Sequence, residues 1–164
     1  MKELFENINI GKILKYLLFM FLSLTAQNMV LGQIRIAGVA VMVLPSVAVA
    51  VGMFEGAAWG AVFSLVMGIF ADMSFVENTT AFALLFPALA FFSGFVSQFF
   101  INRRFFAFMG LSAGALLLTG VYQMVRTLAG DVWHASMLVT VAMQTLISIP
   151  PSALAYFPPA RWIK

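Results

Sequence analysis

The chain has 164 residues, of which 63% are hydrophobic and only 9% charged, whereas soluble domains average about half apolar and about a quarter charged. This composition indicates a polytopic membrane protein and leaves no stretch for a separate soluble domain. The absence of cysteine excludes disulfides, thiolate catalysis and cysteine metal sites. The net charge is +3, from nine Lys and Arg against six Asp and Glu, and the position of the basic residues at segment ends fits membrane topology better than nucleic-acid binding.

Six apolar segments of roughly the length that crosses a bilayer follow one another along the chain. The predicted spans are residues 13–31, 38–53, 57–73, 79–101, 105–127 and 134–156. We read the first as an uncleaved helix, although it resembles the start of a signal peptide. The second and third are short and barely separated, so we expect a tight hairpin that thins the bilayer or stops short of crossing it. Short connections predict a single all-α domain, residues 1–164, with antiparallel neighbours.

The distribution of Lys and Arg predicts the orientation, because these residues resist transfer across the membrane. Six spans that begin in the cytoplasm place seven basic residues on the inner side: Lys2, Lys12, Lys15, Arg103, Arg104, Arg161 and Lys164. Only Arg35 and Arg126 then lie outside. We therefore predict six transmembrane helices with both termini cytoplasmic.

A ladder of small residues marks the third span. Gly56, Gly60, Ser64 and Gly68 recur every four residues and lead to Asp72, so on a helix they form one stripe of about 24 Å that lets a neighbouring backbone approach closely. Two interpretations stay open: packing inside the protein's own bundle, or an interface with a partner. Gly110 and Gly114 form a second close-approach site in the fifth span.

Two carboxylates need partners or water near the membrane. Asp72 lies at the predicted outer end of the third span, where it is either solvated or caps the loop that enters the fourth span. Glu55 lies at the cytoplasmic turn, where we expect it to be solvated, or else paired with Arg103 or Arg104.

Other polar and helix-breaking residues indicate packing rather than chemistry. Because an amide in lipid needs partners, the glutamines of the spans should connect helices: Gln27, Gln98, Gln123 and Gln144. Pro150 and Pro151 should kink the last span, as a packing accommodation or a docking notch. The single histidine, His134, lacks catalytic partners, and no nucleotide-binding, metalloprotease or nucleophile motif is present. The sequence therefore predicts a non-enzyme without cofactor or metal.

The stretch from Val43 to Gly94 resembles the MreD family of rod shape-determining proteins. The residues that carry the resemblance are Leu44-Pro45, Glu55-Gly56, the ladder Gly60, Ser64, Gly68 and Asp72, and Ser93-Gly94. The length, charged N-terminus, six spans and basic C-terminal end are also similar to that family.

This resemblance implies a scaffold in the bacterial cytoplasmic membrane that binds the membrane-anchored MreC. Through MreC it would join a RodA-type glycosyltransferase, a class B penicillin-binding protein and, indirectly, MreB filaments in peptidoglycan synthesis and cell shape. The partner helices would dock on the ladder helix or the kinked sixth span. The basic turns at Arg103-Arg104 and Arg161-Lys164 would anchor the protein or meet anionic lipid.

An alternative is the substrate-binding subunit of an energy-coupling-factor vitamin transporter, which also has six spans and this size. Against it, the first span lacks a pair of small residues at four-residue spacing, and the first outer loop, residues 27–37, is short for a lid over a vitamin.

Overall fold

The computed structural model describes residues 10–36, 39–74, 81–99, 105–128 and 136–162. Within these ranges the regular elements are α1 (Ile10–Ala26), β1 (Arg35–Ile36), β2 (Val39–Ala40), α2 (Leu44–Glu55), α3 (Ala57–Ser74), α4 (Ala81–Phe99), α5 (Phe105–Leu128), α6 (Ser136–Ser152) and α7 (Phe157–Trp162). A π-helical turn, Gln27–Leu31, extends α1, and a 3₁₀ turn, Ala153–Tyr156, joins α6 to α7.

Five helical segments in the described ranges are long and apolar enough to cross a membrane: Gly11–Leu31, Ala57–Ser74, Ala81–Phe99, Phe105–Arg126 and Ser136–Trp162. The protein is therefore an all-α polytopic membrane protein. The predicted spans 57–73, 79–101 and 105–127 are confirmed to within two residues by α3, α4 and α5. The antiparallel pairing of Arg35–Ile36 with Val39–Ala40 is the only sheet in the described part of the chain.

The second predicted span, residues 38–53, is wrong in its boundaries and length. The helix starts only at Leu44 and has 12 residues, about 18 Å at 1.5 Å per residue, which is too short to cross the hydrocarbon core. Pro45 favours a start at this point, because proline lacks an N–H and costs nothing in the first turn of a helix, where that N–H would have no partner. The preceding residues instead form β2 and a non-helical stretch from Val41 to Val43.

Helix α2 lies at the centre of the bundle. Eleven of its 12 residues are buried, and α3, α4 and α5 pack around it, with α1, α7 and the 3₁₀ turn closing the remaining sides. A helix that is apolar on all faces belongs in an interior. The hydrophobic pattern that resembled a membrane span is therefore the pattern of a core helix.

Hydrogen bonds show the direction of the helices beside α2. Ser93 and Ser97 of α4 donate to the carbonyl oxygens of Val49 and Met53 in the same order, so α4 runs parallel to α2. The same holds for α6, since Ser148 Oγ accepts from Met42 N–H, and Ser46 Oγ donates to Ser152 Oγ.

Helix α1 runs antiparallel to α2, because its contacts occur in reverse order. Tyr16 hydrogen-bonds Glu55 at one end of α2, and Gln27 bonds Val41 and Val43 at the other. Trp162 of α7 packs edge-on against the ring of Tyr16, with 5.1 Å between centroids. The start of α1 and the end of α7 therefore lie at the same end of the bundle.

The non-helical stretch Val41–Val43 is held by side chains. Gln27 Nε2 donates to Val41 O at 2.8 Å, Gln27 Oε1 accepts from Val43 N–H at 2.8 Å, and Ser148 Oγ accepts from Met42 N–H at 3.0 Å. Irregular backbone at membrane depth requires such partners, because lipid offers none. Gln27 therefore joins the end of α1 to the stretch that leads into α2, and it finds the partners that an amide in a span was expected to need.

We expect Gln27→Leu to lower the stability of the protein by about 1–3 kcal/mol, because it leaves the Val41 carbonyl and the Val43 N–H without partners. Asn28→Leu is the matched control, since Asn28 is exposed on the next position of the same turn. Thermal unfolding in one detergent measures both variants. Equal melting temperatures for the two would contradict the role assigned to Gln27.

Candidate functional site

Three helices cross at three glycines, one from each helix: Gly52 of α2, Gly60 of α3 and Gly94 of α4. A Cβ on Gly60 would collide with the Cα of Gly52, and a Cβ on Gly94 would lie 2.7 Å from the carbonyl oxygen of Gly52. A Cβ on Gly52 would collide with the carbonyl oxygen of Ala90. The three backbones are in direct contact, and no larger residue fits at this crossing.

The remaining members of the ladder also lie inside the protein. A Cβ on Gly68 would lie 2.5 Å from the Phe82 carbonyl oxygen of α4, and Ser64 is fully buried. Gly56 forms the single-residue turn between α2 and α3 with φ of +94°, a conformation that favours glycine. Of the two interpretations of the ladder, packing within the chain describes what Gly60 and Gly68 do in this structure.

Asp72 caps α4. Its two carboxylate oxygens accept hydrogen bonds from the backbone N–H groups of Phe82 and Ala83, at 3.1 and 2.8 Å. These groups belong to the first turn of α4 and have no partners inside the helix, and the positive end of the helix dipole favours an anion there. The capping interpretation is confirmed, and Asp72 fixes the geometry of the α3–α4 hairpin.

Two further residues at the crossing hold α4 against α2. Ser93 and Ser97 each donate both to a carbonyl of α2 and to a carbonyl one turn back in α4, with distances of 2.9 to 3.3 Å. Sequence analysis quoted Ser93 only for the family resemblance and missed Gly52 altogether. The signal for Gly52 was present, because it precedes Gly56 by the same four residues that separate the members of the ladder.

The second small-residue pair is open. A Cβ on Gly110 or Gly114 would meet no atom within 4 Å, Gly110 is exposed and Gly114 half-buried. Phe106, one turn before Gly110 on the same helix face, is 86% exposed. The face of α5 formed by Phe106, Gly110 and Gly114, hereafter the α5 notch, is therefore a close-approach surface that no described residue fills.

The prolines of the last span do not end the helix. Helix α6 continues through Pro150 and Pro151 to Ser152 and then tightens into the 3₁₀ turn. Pro150 is exposed and Pro151 half-buried. The two prolines therefore lie inside the helix, and the change of winding begins after them, at Ala153.

Glu55 is not solvated, as sequence analysis expected. Only 12% of its side chain is exposed; it forms an ion pair with Lys12 and accepts a 2.6 Å hydrogen bond from the hydroxyl of Tyr16. The helix α1 supplies both partners, which lie about 40 residues away in sequence and therefore could not be read from local spacing.

The basic residues that the sequence predicts on the inner side lie only partly within the described ranges. Arg161 lies exposed in the last turn of α7. Arg103, Arg104 and Lys164 lie outside the described residues, as does His134.

No group of three or more His, Asp or Glu that could hold a metal occurs in the described ranges. The hydroxyls of Ser64 and Ser112 are buried without a hydrogen-bond partner there. What the arrangement offers is a tight three-helix crossing with one open notch on its neighbour α5. No family model matches the chain, and no curated protein or solved structure matches it either.

We expect Gly60→Leu to prevent folding or to lower stability well beyond the 1–3 kcal/mol that is typical of an overpacked core, since the backbone of α2 occupies the space. The matched variant Gly114→Leu should fold normally, because no atom lies near its Cβ. Monodispersity and thermal unfolding in detergent measure the difference. Similar behaviour of the two variants would contradict the assignment of the crossing.

We expect Asp72→Ala to cost about 0.5–2 kcal/mol, the usual cost of a lost helix cap. Asp72→Asn keeps one acceptor oxygen and should retain part of the stability. Hydrogen exchange of the Phe82 and Ala83 amides provides the local measurement. Unchanged protection of both amides in Asp72→Ala would show that the cap is dispensable.

Proposed function

We propose that the protein is a non-enzymatic membrane scaffold, which works by binding other membrane proteins through the surfaces of its helices. The observation that carries this proposal is that the small residues of the protein fall into two groups. The glycines of the ladder and of the crossing are filled by the protein's own helices, whereas the α5 notch leaves Gly110 and Gly114 open to a neighbour. Small residues promote helix association in lipid because they let backbones approach closely.

Apart from Ser64 and Ser112, whose hydroxyls have no partner among the described residues, the buried polar side chains favour a protein that binds other proteins over one that binds a solute. Gln27, Ser93, Ser97, Ser148 and Ser152 all bond to backbone or side chains of neighbouring segments or of their own helix. A solute-binding protein turns some of its convergent polar groups towards a cavity, whereas these groups connect helices.

The orientation that we propose has six crossings and both termini in the cytoplasm. Helix α2 together with Val41–Val43 runs beside α1 from Gln27 to Lys12, about 22 Å at 1.5 Å per residue, so the helix and this stretch together would carry the chain across a locally thinned bilayer. In this arrangement Lys12, Lys15 and Arg161 lie at one end and Arg35 and Arg126 at the other, in agreement with the positive-inside rule.

The resemblance to MreD suggests which assembly the scaffold serves. We propose the bacterial cell-elongation complex in the cytoplasmic membrane, with a direct contact to an MreC-like single-span protein. The RodA-type glycosyltransferase, the class B penicillin-binding protein and MreB would associate through that contact. Residues that carry the resemblance form the crossing (Gly60, Gly94), the adjoining turn (Glu55-Gly56), the contact of α3 with the start of α4 (Gly68) and the cap (Asp72). They would build the rigid body, while the α5 notch would receive the partner helix.

We expect single cysteines at Lys15 and Arg161 to react with a membrane-impermeant maleimide only after the cells are opened, whereas a cysteine at Arg35 reacts in intact cells. The chain contains no native cysteine, so each label reports one site. Reaction of the Lys15 and Arg161 positions from opposite sides would contradict the six-span topology.

We expect the double variant Gly110→Leu/Gly114→Leu to reduce co-purification of a co-expressed MreC-like partner at least about tenfold, because two leucines fill the notch and keep the partner backbone away. Ala58→Leu is the control: Ala58 is also small, exposed and near the inner end of its helix. Both variants should be as stable as the unmodified protein, so that loss of binding is separated from loss of folding.

Full partner recovery with the double variant would remove the α5 notch from the proposal. If the unmodified protein formed no complex with the MreC-like partner, that result would contradict the scaffold function itself. Nanomolar binding of thiamine, riboflavin, biotin or folate to the purified protein would replace it with the transporter-subunit alternative.

A further inference from the structure

Helix α1 is attached to the bundle at two polar points. At the inner end, Glu55 of α2 receives both Lys12 and Tyr16. At the outer end, Gln27 holds Val41 and Val43. We call these the inner latch, comprising Lys12, Tyr16, Glu55 and Trp162, and the outer clamp, comprising Gln27, Val41 and Val43.

Between the two points α1 shows the bundle only a narrow face. Phe19 and Met20 are buried, whereas most of its large apolar side chains are 42–66% exposed: Ile13, Leu14, Leu17, Leu18, Phe21 and Leu22. Lipid tails are as apolar as these side chains, so no hydrophobic force drives α1 onto the bundle. Its docking therefore depends on close packing of few residues and on the two polar points.

The inner latch also couples α1 to the C-terminal helix. Tyr16 meets the ring of Phe63 on α3 at 6.0 Å and that of Trp162 on α7 at 5.1 Å, and Trp162 also contacts Phe19 at 5.8 Å. One tyrosine thus touches α2, α3 and α7. A displacement of α7 would change the packing of the side chain that holds α1.

We propose that the inner latch is a conformational switch: α1 exchanges between a closed and an open position, swinging at its inner end while the outer clamp acts as the hinge. Lys12 is 43% exposed, whereas Glu55 is only 12% exposed, so the carboxylate has to be hydrated when its partners leave. The closed position is therefore the more populated one, and the open position is the minor state. Opening uncovers the inner halves of α2 and α3. This inference is independent of the scaffold function.

Distance measurements between spin labels on the full-length protein in nanodiscs test the switch. The inner pair carries labels at Leu14 and Phe106, and the outer pair at Met29 and Val125, all of them exposed side chains in a chain without cysteine. We expect two distances for the inner pair of the unmodified protein, the longer one in the minority. Lys12→Met and Tyr16→Phe should each raise the population of the longer distance at least about fivefold, because each removes a partner that holds the mostly buried Glu55 carboxylate to α1, and should leave the outer distance unchanged.

Lys15→Met is the matched control, since Lys15 is exposed and one turn away from the latch; it should leave both pairs unchanged. Gln27→Leu should broaden the distance distribution of the outer pair and leave that of the inner pair unchanged. A single inner distance that neither Lys12→Met nor Tyr16→Phe alters would overturn the switch. A simultaneous increase of the inner and the outer distance in these variants would also overturn the switch, because the whole helix would then detach without a hinge.

Discussion

The direct backbone contact of α2 with α3 and α4 is the constraint on which the remaining structure depends. Once Gly52 touches Gly60 and Gly94, α2 lies in the interior and cannot face lipid along any side. Its ends must then find most of their hydrogen-bond and charge partners inside the protein, because lipid offers none. Gln27, Ser148 and the pair of Lys12 and Tyr16 meet this requirement, so the polar contacts of α1 and α6 follow from the position of α2.

Composition and hydropathy predicted the class of fold and most helices, because in lipid the backbone must be satisfied within each segment and apolar length decides where a segment lies. They failed at residues 38–53, since an internal helix and a lipid-facing helix are equally apolar. The position of Pro45 indicated where α2 starts. The conformation of residues 41–43, however, depends on Gln27 and on Ser148, which is 106 residues away from Met42. Such long-range pairing has no periodic signature.

The two carboxylates show what spacing can reveal about the candidate site. Asp72 is only 10 residues from Phe82, so its position before the next helix was sufficient to suggest a cap. Glu55 pairs with Tyr16 across 39 residues, and its environment was expected to be water. The ladder lies between these cases: its stripe was visible in the sequence, but its occupant was not, because occupation depends on Gly52 and Gly94 in two other helices.

The same contrast separates the rigid from the adaptable parts of the molecule. At the crossing, any displacement of α3 or α4 forces backbone atoms together or apart, so this core has one arrangement, as densely packed interiors generally do. Helix α1 is connected to that core through side chains that can exchange their partners for headgroups or water at the membrane surface. A body of α2, α3 and α4 with fixed geometry can present the open face of neighbouring α5 at a constant position. The proposed switch is compatible with this stiffness, because its moving side chains, Lys12 and Tyr16, belong to α1, whereas their acceptor Glu55 belongs to the fixed body.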